Sequence, residues 1–338
     1  MPHAPRKIAC ALALGLTLGS APLAAQALDK IKIGLLKVSA CGPVFIAQEK
    51  GLFAKEGLEA ELAYFDQPAL VPQGIIGGEL DFGIVAPTAA FYNLAAQGAM
   101  HIIAGNADEA PGFKGLVVVA SNQAYAAGLK TIRDLAGHSF AIGAAGTPQQ
   151  YDLGVLAQKY GFDYASLRQM PLGSFANMVS AIVGGSADSG FPPLSAARQA
   201  IAGEKLHVLA SIGDEMRMTV AVTMTAARTA DTNAALVNRF LRVYAAGVRD
   251  YHDAFTGPDE RPLDGPEAAE DYAILAKYTE VPLATMKLGL IHIDRDARLD
   301  VGDVMQQIAW YKAQGMVKPE VDGAKIIDRR YVVPLPEN

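Results

Sequence analysis

The chain has 338 residues, 51% of them hydrophobic, and its 29 basic residues stand against 35 acidic ones for a formal net charge of −6. That balance, with no basic run, argues against nucleic acid or an anionic membrane as partner. The length is large for one core, so two lobes are expected.

The first segment, "MPHAPRKIACALALGLTLGSAPLAAQALDK", sets Arg6 and Lys7 before an apolar run from Ile8 to about Leu18, then ends in Ala25-Gln26-Ala27, the A-x-A form of a signal-peptidase site. The run falls short of the ~20 apolar residues of a spanning helix. A secretory signal cut after Ala27 is therefore expected, leaving an exported chain of 311 residues without stable membrane insertion. Cleavage removes two positive charges, for a net charge near −8, and takes Cys10 with it, so that Cys41 alone remains and no internal disulfide forms.

From Lys30 strands alternate with helices. "KIKIGLL" reads as a strand, "PVFIAQEKGLFAKEG" as a helix closing at Gly51, and "LEAELAYF" as a strand. "ALVPQGIIGGE" is a helix ending at Gly77-Gly78, "LDFGIVA" a strand, "TAAFYNLAAQG" a helix closed by Gly98 and "MHIIAGNA" a strand. This alternation implies parallel βαβ units. "LVVVAS" opens a second series, with strands in "DLAGHSFAIGAAG", "LRQMPLG", "ADSGF" and "KLHVLASIG" and helices in "TPQQYDLGVLAQKYG", "FANMVSAIVGG" and "PLSAARQAIAG". "MTVAVTMTA" reads as a strand with no partner in either series. The remainder is largely helical, with apolar residues at three-to-four spacing, and holds the single Trp310, expected in a core contact.

The two series echo each other. "GGELDFGIVAPTAA", Gly77 to Ala90, returns as "GGSADSGFPPLSAA", Gly184 to Ala197, with six of fourteen positions shared and Thr88 opposite Ser195. Ile33-Gly34 answers Ile142-Gly143, and Ala47-Gln48 with Gly51 answers Ala157-Gln158 with Gly161, at spacings of 109 to 110. Open parallel sheets take ligands outside the carboxyl ends of their strands. The repeat thus predicts two versions of one lobe, facing each other across a shared cleft.

The chain has no G-x-G-x-x-G, G-x-x-x-x-G-K-[ST], G-x-S-x-G or H-E-x-x-H, and Asp81-Phe82-Gly83 lacks the other kinase motifs. His3, His101, His138, His207, His252 and His292 are scattered singly, so neither a metal site nor a cofactor is expected. Cys41, without an obvious His partner, reads as pocket wall rather than nucleophile. What the sequence does carry is helix starts. Thr147, Pro148 and Gln150 read as an N-cap, a first helical residue and a capping box. Pro43 follows Ser39, Cys41 and Gly42, while Thr88 and Ser195 stand beside prolines. Each such end offers free N–H groups and about half a positive charge, worth about 0.3 to 2 kcal/mol, so several converging ends hold a small anion without an arginine. Phe65, Tyr92, Tyr151 and Phe191 either stack on a ligand or pack in the core. Lys37, the one basic residue in these loops, either meets an anionic head or stands in solvent.

"IKIGLLKVSACGPVFIAQEKGLFAKEGLEAEL" with "IIGGELDFGIVAPTAAF", and then "DLAGHSFAIGAAGTPQQY" and "KIIDRRYV", resembles the SsuA/THI5-like (NMT1-like) solute-binding proteins of ABC importers. That group includes sulfonate-, taurine-, nitrate- and thiamine-precursor-binding members. The resemblance implies an α/β type II periplasmic-binding fold of two doubly wound lobes, residues 28–117 with 221–338 against 118–220. It implies crossings near Phe113 to Ala120 and Met218 to Thr225, a periplasmic location, and an ABC permease with its ATPase as partners. It implies binding rather than catalysis, since the cysteine-rich C-C-C-F-C motif of the pyrimidine synthase sharing this fold is absent. The family's contact loops fall on Ser39 to Gly42, Phe65 to Gln67, Val85 to Thr88, Gly146 to Tyr151, Gly173-Ser174 and Phe191. The expected ligand-binding set is Lys37, Ser39, Cys41, Gly42, Phe65, Asp66, Ala86, Thr88, Gly146, Thr147, Gln149, Gln150, Tyr151, Ser174 and Phe191. So few basic residues point to a singly charged organic anion, a sulfonate or carboxylate, aliphatic or aromatic. The alternatives are a neutral or cationic pyrimidine of the thiamine-precursor type, met by Asp66 or Glu109, or a sensor that presents ligand to a receptor.

Overall fold

Thirteen segments pair as strands in the computed structural model, which describes residues 1, 28–263, 265 and 268–336; the expected signal segment and its cleavage site lie outside these residues. In chain order they are β1 (Asp29–Leu35), β2 (Leu58–Tyr64), β3 (Phe82–Val85), β4 (Met100–Gly105), β5 (Ala107–Glu109), β6 (Val117–Ser121) and β7 (Ser139–Ile142). There follow β8 (Arg168–Pro171), β9 (Ser189–Gly190), β10 (Leu206–Ser211), β11 (Met218–Thr219), β12 (Val222–Ala226) and β13 (His292–Ile293). One sheet has the order β2-β1-β3-β12-β4 and another β10-β6-β9-β7-β8, which is the same plan read from the other edge. The repeat in the sequence is therefore a repeat in topology. No helix among the described residues is long and apolar enough to cross a membrane.

The expected partnerless strand in "MTVAVTMTA" needs correction. Its second half, β12, enters the first sheet between β3 and β4, antiparallel to both, and its first half, β11, pairs with β5 in a small sheet with β13. In the second sheet β6 runs antiparallel to β9 and β10 in the same way. Both sheets are thus mixed, and only the β1-β2-β3 and β7-β8-β9 portions have the expected parallel pairing. Each of the two antiparallel strands is wholly buried. Burial on both faces, of an apolar run in β6 and of alternating apolar and threonine residues in β12, does not show strand direction.

The repeat register also shifts. Ile33 lies opposite Phe82, and Phe140 opposite Ser189, so the strands repeat at a spacing of 107 and Ala141, not Gly143, is the counterpart of Gly34. The spacing of 110 holds at the helix ends, where Gly51 and Gly161 both turn the chain in left-handed conformations. The difference is absorbed by the Pro148–Tyr160 helix, longer than its counterpart Gly42–Glu49.

Half of the echoed segment is structural. Asp81 accepts a hydrogen bond from the Lys32 amide at 2.8 Å, and Asp188 accepts one from the Ser139 amide at 2.8 Å, so each aspartate ties the start of its own strand to the neighbouring parallel strand. A Cβ at Gly83 would lie 2.5 Å from Val71 Cγ1, and one at Gly190 2.8 Å from Ile182 Cδ1, which lets the Leu70–Gly77 and Phe175–Val183 helices sit directly on their strands. Asp81→Ala and Asp188→Ala are each expected to lower the unfolding free energy by about 1–3 kcal/mol, the cost of leaving a part-buried amide unpaired. Urea denaturation checks this, and unchanged midpoints in both variants would show the aspartates to be dispensable to the strands.

The C-terminal helices close over the first sheet. The Ala234–Phe255 helix buries Phe240, Tyr244, Val248 and Tyr251, with Phe240 stacked on Phe82 at 3.8 Å. The Val301–Ala313 helix packs its Val304, Ile308 and Tyr311 into the cluster on the other side of the same sheet.

Candidate functional site

A cavity of about 460 Å³ opens where the carboxyl ends of strands from both sheets converge. Residues 36–41 after β1, with Val85 at the end of β3 and Ala86 and Thr88 after it, form one wall. Thr147, Pro148 and Gln149 after β7, with Pro193, Ser195 and Ala196 after β9, form the facing one. Glu109 at the end of β5, Val220 and Ala221, and the segment from Thr279 to Ile291 complete it.

Of the expected residues, Lys37, Ser39, Cys41, Ala86, Thr88, Thr147 and Gln149 reach this wall. The other eight do not. Phe191 is fully buried edge-to-face against Phe140, and offers only its carbonyl, which accepts from Gln149 Nε2 at 3.1 Å. Tyr151 turns toward the C-terminal helices, where its hydroxyl donates to Asp303 Oδ1 at 3.3 Å. Phe65 packs on the first-sheet core and Asp66 is exposed. Gly42 lies so close to Tyr251 that a Cβ would meet its ring at 2.7 Å. Ser174 caps the Phe175–Val183 helix by accepting from Asn177 N, and the neighbouring Phe175 reaches the cavity in its place.

The expected capping box at Thr147 does not form. Thr147 is the N-cap of its helix, but its hydroxyl donates to the Ala144 carbonyl at 2.9 Å. Gln150 Oε1 accepts from Gly146 N at 2.8 Å, and its amide donates to Gln169 Oε1 at 2.7 Å. Gly146, at φ 73°, accepts instead from Ala89 N at 2.8 Å, a backbone bond joining the facing loops. Ser195 lies inside the first turn of the Leu194–Ala202 helix rather than at its cap.

Lys37 and Glu109 are the charged residue types in the wall. The Lys37 ammonium is already paired with Glu280 at the solvent edge. Glu109 is fully buried, and neither carboxyl oxygen accepts a hydrogen bond of good geometry. Burial, with Asp108 adding repulsion, pushes its pKa up to about 8, although the Leu116 amide eases it. Asp152, buried behind the Pro148–Tyr160 helix start, also has two unpartnered oxygens and is pushed up by burial and by Glu109. Burial holds the Cys41 thiol up at about 12, so it is no activated nucleophile.

Glu109, Phe175, Pro193, Ser195 and the Thr279 to Ile291 segment belong to the wall but not to the expected set. For Ser195 the signal was present in its match to Thr88. The C-terminal segment has no counterpart in the repeat and gave no signal.

The sequence profile described as NMT1/THI5 like matches residues 39–260, which carry most of these loops. The chain belongs to the NMT1/THI5-like family. Among curated proteins no sequence matches it. Its fold is similar to that of the periplasmic aliphatic sulphonate binding protein SsuA from Escherichia coli, with a TM-score of 0.69 and 17% identity over 92% of this chain and 94% of that one. The alkanesulfonate-binding protein SsuA from Xanthomonas axonopodis pv. citri, bound to MOPS, gives 0.67 and 16% over 89% and 98%. The periplasmic nitrate-binding protein NrtA from Synechocystis PCC 6803 gives 0.62 and 14% over 89% and 86%. This NMT1/THI5-like chain therefore has the periplasmic-binding fold, two α/β lobes with the cavity between them.

Proposed function

We propose that this chain is the solute-binding component of an ABC importer, exported to the periplasm, which holds a small organic ligand between its lobes and presents the closed form to a permease and its ATPase. The observation carrying this reading is the composition of the cavity wall, which both sheets supply. An occupant touching both walls stabilises closure, and about 5.5 kcal/mol of differential affinity takes an equilibrium from 1:99 to 99:1. The lobe division we propose is 28–117 with 221–338, and 118–220. The absence of an activated thiol at Cys41 favours binding over reaction.

For the ligand, a singly charged sulfonate or carboxylate would be met by the helix starts at Cys41, Thr88 and Thr147, which open on the cavity, with Lys37 at its edge. A second reading, a neutral or cationic pyrimidine, is favoured by Glu109, whose bare carboxyl oxygens suit N–H donors. A thermal-shift screen of refolded protein against sulfonates, carboxylates, nitrate and thiamine-precursor pyrimidines tests both. At a hundredfold excess over Kd the gain is about 2.7 kcal/mol, a shift of a few degrees. We expect a shift with one anion class, weakened in Thr147→Ala. A shift with pyrimidines alone replaces the anion reading, and none with any of these classes removes both ligand readings.

A further inference from the structure

Two of the scattered histidines meet outside the cavity. His252, in the last turn of the Ala234–Phe255 helix, and His292, on β13, lie with ring centres 6.1 Å apart. Glu260 joins them from the turn that follows the helix, with Oε2 3.0 Å from His292 Nε2. One donor atom from each of the three residues lies within 4.8 Å of the other two. We propose that His252, Glu260 and His292 form a binding site for a divalent ion of the Zn²⁺ class, completed by solvent on the exposed Glu260 side.

The His252 tautomer suits such an ion, whereas His292 donates its Nε2 proton to Glu260 and must release it when the ion binds. His252 Nδ1 is 2.9 Å from the Ile293 carbonyl oxygen, a contact that requires the proton on Nδ1 and leaves the lone pair on Nε2. His292 is fully buried, and its Nδ1 has no hydrogen bond of its own but faces Asp108 Oδ2 at 3.8 Å. At that distance, with Arg217 Nη2 3.4 Å from the same oxygen, Asp108 is a nearby negative charge rather than a hydrogen-bond partner of the ring. β5 therefore presents Asp108 to the histidine and, one residue on, Glu109 to the cavity.

Glu260 is held for the task by its backbone. Its φ is 59°, in the left-handed region that a glutamate seldom adopts, and the turn is closed by Gly257 N to Arg261 O at 2.7 Å and Glu260 N to Gly257 O at 3.0 Å. Two imidazoles and one carboxylate are zinc-class ligands, bound at about 2.0–2.2 Å. The donors must close in from their present spacing; Glu260 and His292 already stand 3.0 Å apart, so the movement falls on His252 at the helix end. An ion here would tie the helix end, β13 and the turn together.

The test is calorimetric titration of ZnCl2 into chelator-treated protein, with Co²⁺ absorption as a geometric readout. We expect one ion per chain, a melting temperature raised by a few degrees, and visible Co²⁺ bands of low-coordinate character. Glu260→Gln, at an exposed position that leaves the core intact, should weaken binding by about tenfold or more, and His252→Ala should abolish the Co²⁺ bands. Zinc binding that is absent, or equally tight in wild type, Glu260→Gln and His252→Ala, would overturn the site and leave an ion pair beside a helix-end histidine. The outcome is independent of which ligand, if any, fills the cavity.

Discussion

Glu109→Gln is expected to raise the melting temperature of the ligand-free protein at pH 8.5 and to change it little at pH 5. The native carboxyl keeps its proton up to about pH 8, whereas an unfolded glutamate releases it near 4.5. Between those values the native state binds more protons, so stability is fully present below the lower pKa and is lost as pH rises through the upper one. At about 1.36 kcal/mol per pKa unit the full loss is on the order of 5 kcal/mol, and opening of the cleft, which rehydrates the carboxyl, recovers part of it. Asp303, pushed up to about 6 by burial, and Asp152, pushed well up by burial, act with the same sign, so the variant keeps their share of the decline and loses the Glu109 share between about 4.5 and 8. Calorimetric scans from pH 5 to 9 measure this, and parallel curves for wild type and variant would show Glu109 to be solvated. The same variant separates the two ligand readings. It should strengthen binding of a sulfonate at pH 8.5, where the wild-type carboxylate repels it, and weaken that of an aminopyrimidine, whose amino N–H groups that carboxylate accepts.

The fold was legible where one face of an element decided its pattern. The alternation from "KIKIGLL" to "MHIIAGNA" showed the β1 to β4 order because each helix between the strands ended at a glycine, and the second series showed its likeness through Asp188 and Gly190. The strands that make the sheets mixed, β6 and β12, were not legible as such. Buried on both faces, they carry a pattern, apolar in β6 and alternating with threonine in β12, whose neighbours only the assembled sheet selects. At the site, Ser39, Cys41, Thr88 and Thr147 could be placed because they follow strand ends. Phe191 and Tyr151 follow them too, but which way a side chain points after a strand end depends on a one-residue register that the motif does not carry. Glu109 was visible as a residue but not as a chemical group, since its raised pKa comes from burial by distant parts of the chain. His252 and His292 are brought together only when β13 pairs with β5 beneath the long helix.

Gly154→Ala should lower ligand affinity by about 5- to 150-fold while leaving the unfolding midpoint of the ligand-free protein nearly unchanged, because the 1–3 kcal/mol cost of overpacking falls on the closed form. Gly154 is on the Pro148–Tyr160 helix, which links β7 to β8 of the second sheet. It faces Trp310 on the Val301–Ala313 helix, which packs on the first. A Cβ there would lie 2.4 Å from the indole Nε1 and 2.5 Å from Cε2, closer than any contact allows. The indole has little room to retreat, since Tyr151, Tyr164 and Tyr311 meet it edge-on at 5.9, 5.5 and 5.3 Å. The added methyl therefore wedges the helices apart, next to the Tyr151 to Asp303 and Ala89 to Gly146 bonds that also span the lobes. Trp310 is the chain's single tryptophan, so its fluorescence reports this contact directly and should change on ligand binding in the wild type. If Gly154→Ala instead lowers the unfolding midpoint and leaves affinity intact, the two helices stay in contact in the open form. Closure would then pivot about this edge rather than form it.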